Sequence, residues 1–165
     1  MTFRQLTNLR ELFQCVAAEN TMKKLDTRLE CEGAEFLVLG HLLLNKIAAY
    51  KAYTNMPGYD LVAVNLVANT AAKIQVKSRW RTGATGFPIS NFDCDFVVAA
   101  LLNRGSIERT MSPSEPSFYV IPVDRIRSLP QGKVWNKVDI KKIPNLESYR
   151  GHWSQIKDFL SNKLP

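Results

Sequence analysis

The sequence is poor in the residues that build thiolate metal sites, disulfides and zinc centres. It contains three cysteines and two histidines in 165 residues, and no two cysteines form a C-x-x-C pair. Cys15, Cys31 and Cys94 are therefore expected to be reduced thiols, which is typical of the cytoplasm. Neither His41 nor His152 has a second histidine or a cysteine at metal-ligand spacing, so a zinc site is not predicted.

Several segment types are also missing. The N-terminal MTFRQLTNLRELFQC has scattered charges in place of a continuous apolar run, so no signal peptide is predicted. The stretch EFLVLGHLLLNKIAAY is too short and too interrupted to span a bilayer. Neither a G-K-[ST] phosphate-binding loop nor a G-x-S-x-G motif occurs. We therefore expect a cytoplasmic protein with no membrane span and no nucleotide cofactor.

The composition favours one globular domain with a basic surface. Hydrophobic residues make up 45% of the chain and charged residues 22%, which suits a folded protein of this length. Lys and Arg number 22 against 15 Asp and Glu, a formal charge of +7. This excess favours a polyanionic partner, first nucleic acid and second an anionic membrane surface. A basic protein without such a partner remains the alternative.

The hydrophobic pattern predicts an α/β or α+β domain. Residues 3–19 show helical spacing of apolar side chains and predict an amphipathic helix. Residues 34–53 predict a long helix that is apolar nearly all round through its first three turns and hence buried. Four strands are predicted after it, at residues 60–67, 72–78, 93–102 and 117–123. A terminal helix is predicted from the helical spacing of Tyr149, Trp153, Ile156 and Leu160.

The first two predicted strands form a hairpin that carries polar residues at its open end. In PGYDLVAVNLVANTAAKIQVKSRW, Asp60 opens the first strand, and Gln75 and Lys77 share one face of the second. With a turn at ANT, Leu61 is predicted opposite Lys77 to within about one residue, which brings Asp60 beside Lys77. The alternative is that Asp60 caps a turn and forms a surface ion pair with Lys77.

Glu35 is a further candidate for a functional site. It is the only acid between Ala34 and Tyr50, and apolar residues follow it directly. A buried carboxylate is costly unless it meets a cation, a metal ion or good hydrogen-bond donors. Alternatively, Glu35 lies in the first helical turn and complements the helix dipole.

Glu35 in a helix, Asp60 at the start of a strand, and Gln75-Val76-Lys77 in the next strand together resemble the motif of the PD-(D/E)XK nuclease superfamily. The resemblance covers about residues 33–127, including DFVVAALL and FYVIPVDRI as later core strands. The sequence departs from the motif at Gln75, where most members have an acid. Some homing and restriction endonucleases of the superfamily have a similar Gln-x-Lys variant.

The resemblance implies a restriction-endonuclease-like α/β fold, with a mixed β-sheet, a leading hairpin and flanking helices. The single domain would comprise a helical extension (residues 1–32), the motif region (33–127) and a C-terminal helical region (128–165).

The implied activity is metal-dependent DNA hydrolysis with Mg²⁺ or Mn²⁺, in a restriction, homing or resolvase-like enzyme. Asp60 would be the main metal ligand, the Gln75 amide and the Val76 carbonyl would be weaker ones, and Glu35 would bind directly or through water. Lys77 would orient the attacking water or stabilise the developing charge.

Basic residues and glycines around the lysine strand are candidates for DNA contacts. They are Lys73, Arg79, Arg81, Gly83 and Gly86. The alternative is an exposed hairpin loop with Trp80 in the core. A homodimer is expected, because cutting both strands of a duplex needs two sites and the stripe of residues 3–19 could meet a partner. That stripe could instead cover the protein's own core. Two other functions stay open, a catalytically silent DNA-binding module and a protein-interaction domain.

Overall fold

The computed structural model describes residues 27–52, 58–106, 110–130 and 137–162. The helix predicted at residues 3–19 lies outside these ranges. The helices are α1 (Thr27–Leu44), α2 (Val123–Arg127) and α3 (Ser154–Asn162), with 3-10 turns at Ile140–Lys142 and Leu146–Tyr149. The strands are β1 (Ala48–Lys51), β2 (Leu61–Asn65), β3 (Thr70–Arg79), β4 (Gly86–Pro88), β5 (Phe96–Leu101), β6 (Ser117–Pro122) and β7 (Lys137–Asp139).

Five strands form one mixed sheet in the order β1-β2-β3-β5-β6. β3 and β5 are parallel, and the other neighbours are antiparallel. β4 and β7 form a separate antiparallel pair. The protein therefore has the mixed α/β fold, with a hairpin leading into a helix-flanked sheet, that the sequence predicts.

The sheet is covered on both faces. On one face, the buried side of α1 packs with α3 against alternate residues of the strands, in a cluster that includes Ala34, Val38 and Leu42. On the other face, β4, β7 and α2 enclose a second cluster. All six residues of β5 are buried, as expected for a continuous apolar strand covered on both sides.

The prediction for the long helix was wrong in three respects. α1 already includes Thr27, and it ends at Leu44 instead of continuing to Tyr53. The chain leaves the helix because Lys46 adopts a left-handed conformation (φ 60°) and Ile47 N–H donates to the Leu42 carbonyl. Residues 48–51 then form the edge strand β1. Furthermore, only one side of the helix is buried in the described structure.

The predicted register of the β2–β3 hairpin was also wrong. Leu61 pairs with Ile74, three residues before Lys77. The apolar pair Leu66 and Val67 was assigned to a strand, but both residues lie in the turn and are 82% and 100% exposed. The turn forms there because the Asn65 side chain accepts hydrogen bonds from the Val67 and Ala68 N–H groups at 3.1 and 3.2 Å.

The C-terminal region is broken into shorter pieces than predicted. A 3-10 turn at Leu146–Tyr149 is separated from α3 by Gly151, which has φ 59°. Trp153 and Leu160 are nevertheless buried, as is Ile156. No helix within the described ranges is both long and apolar enough to cross a membrane.

Candidate active site at the strand fork

Asp60 lies at a fork where β2 and β3 separate. Its N–H donates to the Ile74 carbonyl at 2.9 Å, and this hydrogen bond joins the two segments one residue before β2 begins. Its carboxylate atom Oδ2 accepts the Val76 N–H at 2.6 Å. From Ile74 onward, the opposite edge of β3 pairs with β5. The fork therefore brings Asp60 against Gln75 and Val76, closer to the start of the Gln-x-Lys triplet than the predicted register implied.

The Val76 carbonyl faces the same open edge of β3. In an extended strand, the N–H and C=O of one residue point to the same side. Because the Val76 N–H meets Asp60, the Val76 carbonyl also points toward the Asp60 side of the fork. The backbone oxygen predicted as a weak metal ligand is thus placed beside the carboxylate predicted as the main ligand.

Gln75 carries a buried acceptor without a donor. The residue is 7% exposed, and its Oε1 atom accepts no hydrogen bond from the described residues. An unsatisfied buried polar atom costs about 1–3 kcal/mol. Such an orphan is uncommon in folded proteins and calls for a specific explanation. An amide oxygen of this kind beside a carboxylate fits the preference of Mg²⁺ for oxygen ligands.

Glu35 approaches the same site from α1. Burial raises the pKa of Glu35, a hydrogen bond from Lys51 lowers it, and the negative charge of Asp60 raises it further. Its Oε2 atom accepts from Lys51 Nζ at 2.8 Å. The two carboxylates thus interact across the helix–sheet boundary, and part of the charge of Glu35 is already balanced by a lysine.

The pKa of Asp60 is raised in the same way. Burial is the main cause, and the Val76 N–H, Lys77 and Lys51 act in the opposite direction. Two partly buried carboxylates with raised pKa values in one place are unfavourable without a cation. Within the described part of the chain, no three His, Cys, Asp or Glu side chains converge as a metal cluster. The possible donor set therefore consists of two carboxylates, one amide oxygen and one backbone carbonyl.

Lys51 is the site neighbour that the sequence analysis missed. Its amine contacts Glu32 and Glu35 and lies 4.7 Å from the centre of the Phe36 ring, and its side chain is 6% exposed. It was missed because residues 48–51 were assigned to the long helix. The Asn45-Lys46 pair, which directly follows α1, could have indicated that the helix ends there, because asparagine tolerates the conformations that end helices.

Lys77 is half-buried and alternates onto the same face of β3 as Gln75. Its positive charge lowers the pKa of Asp60. The same charge lowers the pKa of the Cys94 thiol, but burial has the larger effect and raises that pKa to about 11. Asp60, Gln75 and Lys77 are thus neighbours around the fork, although Lys77 is not the cross-strand partner of Asp60.

Two further acids, Asp93 and Asp95, directly precede β5 and contact Lys73. Asp95 Oδ2 accepts the Lys73 backbone N–H at 2.8 Å, and Asp93 pairs with Lys73 Nζ at 2.9 Å. Both acids therefore hold the entry of β5 beside β3, at the end of β3 that precedes Gln75.

The predicted DNA contacts differ in how accessible they are. The Arg79 guanidinium donates to the Gly86 and Ser78 carbonyls, so it supports the chain locally. Gly86 packs against Lys137, since a Cβ there would meet Lys137 Cε at 2.6 Å. Arg81 is exposed and Gly83 adopts φ 80°, as an exposed turn requires. Trp80 is 37% exposed, which places it in the loop and not in the core.

Comparison with solved structures finds a bacterial homing endonuclease, I-Ssp6803I. The match has a TM-score of 0.58 and 21% sequence identity, and it covers 85% of this chain and 99% of the other. The chain has a nuclease-like fold. At this identity the likeness concerns the fold. No protein-family model matches the sequence, and no curated protein matches it.

Proposed function

We propose that this protein is a metal-dependent DNA endonuclease of the PD-(D/E)XK type, in its Gln-x-Lys variant. The observation that carries the proposal is the buried Gln75 Oε1 atom, which has no donor among the described residues and lies next to the fork that holds Asp60. A fold shared with a homing endonuclease and the charge of +7 support DNA as the substrate.

In this proposal the residues at the fork have two roles, which are metal binding and positioning of the attacking water. Asp60, the Gln75 amide oxygen and the Val76 carbonyl would hold Mg²⁺ or Mn²⁺, and Glu35 would complete the set from α1. When bound, the cation would offset charge on the scissile phosphate and acidify a water molecule. Lys77 would orient the attacking water and stabilise charge that develops on the phosphate. Lys51 would hold Glu35 in place through its 2.8 Å contact.

Incubation of purified protein with supercoiled plasmid tests this function. We expect nicked and linear products with Mg²⁺ or Mn²⁺ and none with EDTA. DNA binding that weakens with salt but produces no cleavage would instead favour a silent DNA-binding module, which the small number of acids among the described residues of the site would explain. Neither binding nor cleavage would favour a protein-interaction domain.

Substitutions at Gln75 test whether its amide oxygen is a ligand. We expect Gln75→Glu to tighten Mn²⁺ binding by about 10-fold, because metal affinity rises with ligand charge. Cleavage should survive, or increase at low Mg²⁺. Gln75→Met keeps the size but removes the oxygen, so it should weaken Mn²⁺ binding without lowering the melting temperature.

Calorimetric titration with Mn²⁺ and thermal melts in EDTA measure both effects at Gln75. Equal Mn²⁺ affinity in the parent, the glutamate and the methionine variants would show that Gln75 does not bind the ion.

We also propose that the protein acts as a homodimer, because cutting both strands of a duplex needs two sites. Light scattering at micromolar concentration should give twice the mass of one chain. A monomeric mass, both alone and with a cleavable duplex in Ca²⁺, would contradict this.

A further inference from the structure

The outward face of α1 is an apolar stripe that is exposed in the described part of the structure. Five large apolar residues on it are 44–82% exposed, namely Leu29, Phe36, Leu37, Leu43 and Leu44. At 100° per residue they fall on one side of the helix, opposite the fully buried Ala34, Val38 and Leu42. Contiguous exposed apolar patches of this kind mark sites that another surface covers.

Two glycines lie within the same stripe. Gly33 and Gly40 are seven residues apart, and a Cβ atom built at either position would have no neighbour within 4 Å among the described residues. Glycine in a helix interior costs about 1 kcal/mol relative to alanine. Two such costs in one helix, with no contact in the described structure to explain them, are consistent with a second helix that approaches closely at these positions.

We propose that residues 3–19 fold back as a helix and cover the outward face of α1 in the same chain. Residues 1–26 precede α1 directly, and in this arrangement residues 20–26 would be a connection of the length usual between antiparallel helices. A helix over residues 3–19 would be about 25 Å long, against about 27 Å for α1. Residues 3–19 are therefore close to α1 along the chain, long enough to cover its outward face, and amphipathic in sequence.

The apolar spacing of the two segments also matches. Residues 6, 9, 13 and 16 repeat with the alternation of three and four that suits a helix–helix seam, as do residues 29, 33, 36, 40 and 43. A reversal centred on residue 23 puts Phe13 against Gly33, Leu9 against Leu37 and Leu6 against Gly40. The large side chains of the first segment then fill the space that the two glycines leave open.

An engineered disulfide tests this placement. In a variant in which Cys15, Cys31 and Cys94 are replaced by alanine, Leu9→Cys and Leu37→Cys should join under mild oxidation. On a denaturing, non-reducing gel, we expect a faster-migrating monomer whose yield is independent of protein concentration. A covalent dimer that increases with concentration would overturn the proposal in favour of a second copy, and the absence of any disulfide would also overturn it.

A second pair of cysteine substitutions controls for non-specific disulfide formation. Leu9→Cys with Leu44→Cys places the second thiol two helical turns further along α1 and should not join. Equal yields from both pairs would show that the segment has no fixed register on α1, which would overturn the proposal.

Gly40→Leu provides a second test, in which the direction of the change in melting temperature distinguishes a covered face of α1 from an open one. If the face were open, leucine would raise the melting temperature through its better helix propensity. Under the proposal it clashes with Leu6, so we expect a decrease of about 3 °C or more. Adding Leu6→Ala should recover most of that decrease. An increase for Gly40→Leu alone would overturn the proposal.

Discussion

Asp60→Ala should reduce DNA cleavage by at least about 10³-fold, the scale of loss expected when a catalytic metal site is emptied. Asp60 is the carboxylate at the strand fork, and its Oδ2 atom is fixed by the Val76 N–H at 2.6 Å. Glu35 cannot replace it, because Glu35 is already held by Lys51. DNA binding measured in EDTA should change little, since it sums over many phosphate contacts.

Asp60→Asn separates the chemical role of the carboxylate from its structural role. Cleavage should fall as in the alanine variant, whereas the melting temperature in EDTA should rise. Folding raises the pKa of Asp60, so the ionised form is less favourable in the folded protein than in the unfolded one. The asparagine oxygen can still accept the Val76 N–H.

The stability gain of Asp60→Asn should depend on pH. It should be largest above the raised pKa, where Asp60 is ionised, and should shrink as the pH falls and Asp60 binds a proton in the folded parent. Asp158→Asn removes one exposed carboxylate on α3 and is the matched control, with cleavage and stability unchanged. Full cleavage by Asp60→Asn would refute the assigned site.

Lys77→Ala should lower cleavage by about 10²–10⁴-fold and leave DNA affinity within about threefold of the parent. The lysine lies beyond Gln75 on the same face of β3 and acts electrostatically on Asp60. It contributes one charge among 22 Lys and Arg, so its loss should reduce the salt dependence of binding by about one phosphate contact.

Two further variants sharpen the Lys77 test. Lys77→Arg keeps the charge but replaces a compact ammonium by a planar guanidinium, so binding should match the parent while cleavage stays impaired. Lys141→Ala removes an exposed lysine and should leave both unchanged. Single-turnover cleavage in Mg²⁺ and fluorescence anisotropy in Ca²⁺ measure the two properties. A parallel loss of binding and cleavage in Lys77→Ala would assign Lys77 to DNA affinity and not to chemistry.

The sheet could be predicted from the sequence more fully than the details around the fork. The runs that became β2, β3, β5 and β6 are rich in β-branched residues and bounded by turn residues, so their existence was readable. The hairpin register was not, because Leu66 and Val67 have the composition of a strand but lie in a turn fixed by Asn65. A side-chain hydrogen bond to the backbone outweighed the hydrophobic pattern there.

The environment of the proposed site was less predictable than the residues proposed for it. Glu35, Asp60, Gln75 and Lys77 carried a recognisable spacing, whereas Lys51 has no signal in a local pattern and matters only because β1 folds beside α1. The lack of a donor to Gln75 Oε1 among the described residues and the raised pKa values of the two carboxylates arise from burial. Burial depends on tertiary packing, which the sequence pattern alone does not specify.

The proposed site residues all lie within the continuous stretch from Glu35 to Lys77, which runs through α1, β1, β2 and β3 in chain order. The strands β1, β2 and β3 meet through pairs of residues that are 5–16 positions apart, whereas β3 and β5 pair across 22 positions and Glu35 lies 25 positions from Asp60. Local pairings of this kind form early in folding and long-range ones later. The hairpin part of the site, Asp60 with Gln75 and Val76, should therefore form first in the folding reaction, and α1 with Glu35 and β5 should dock on it later.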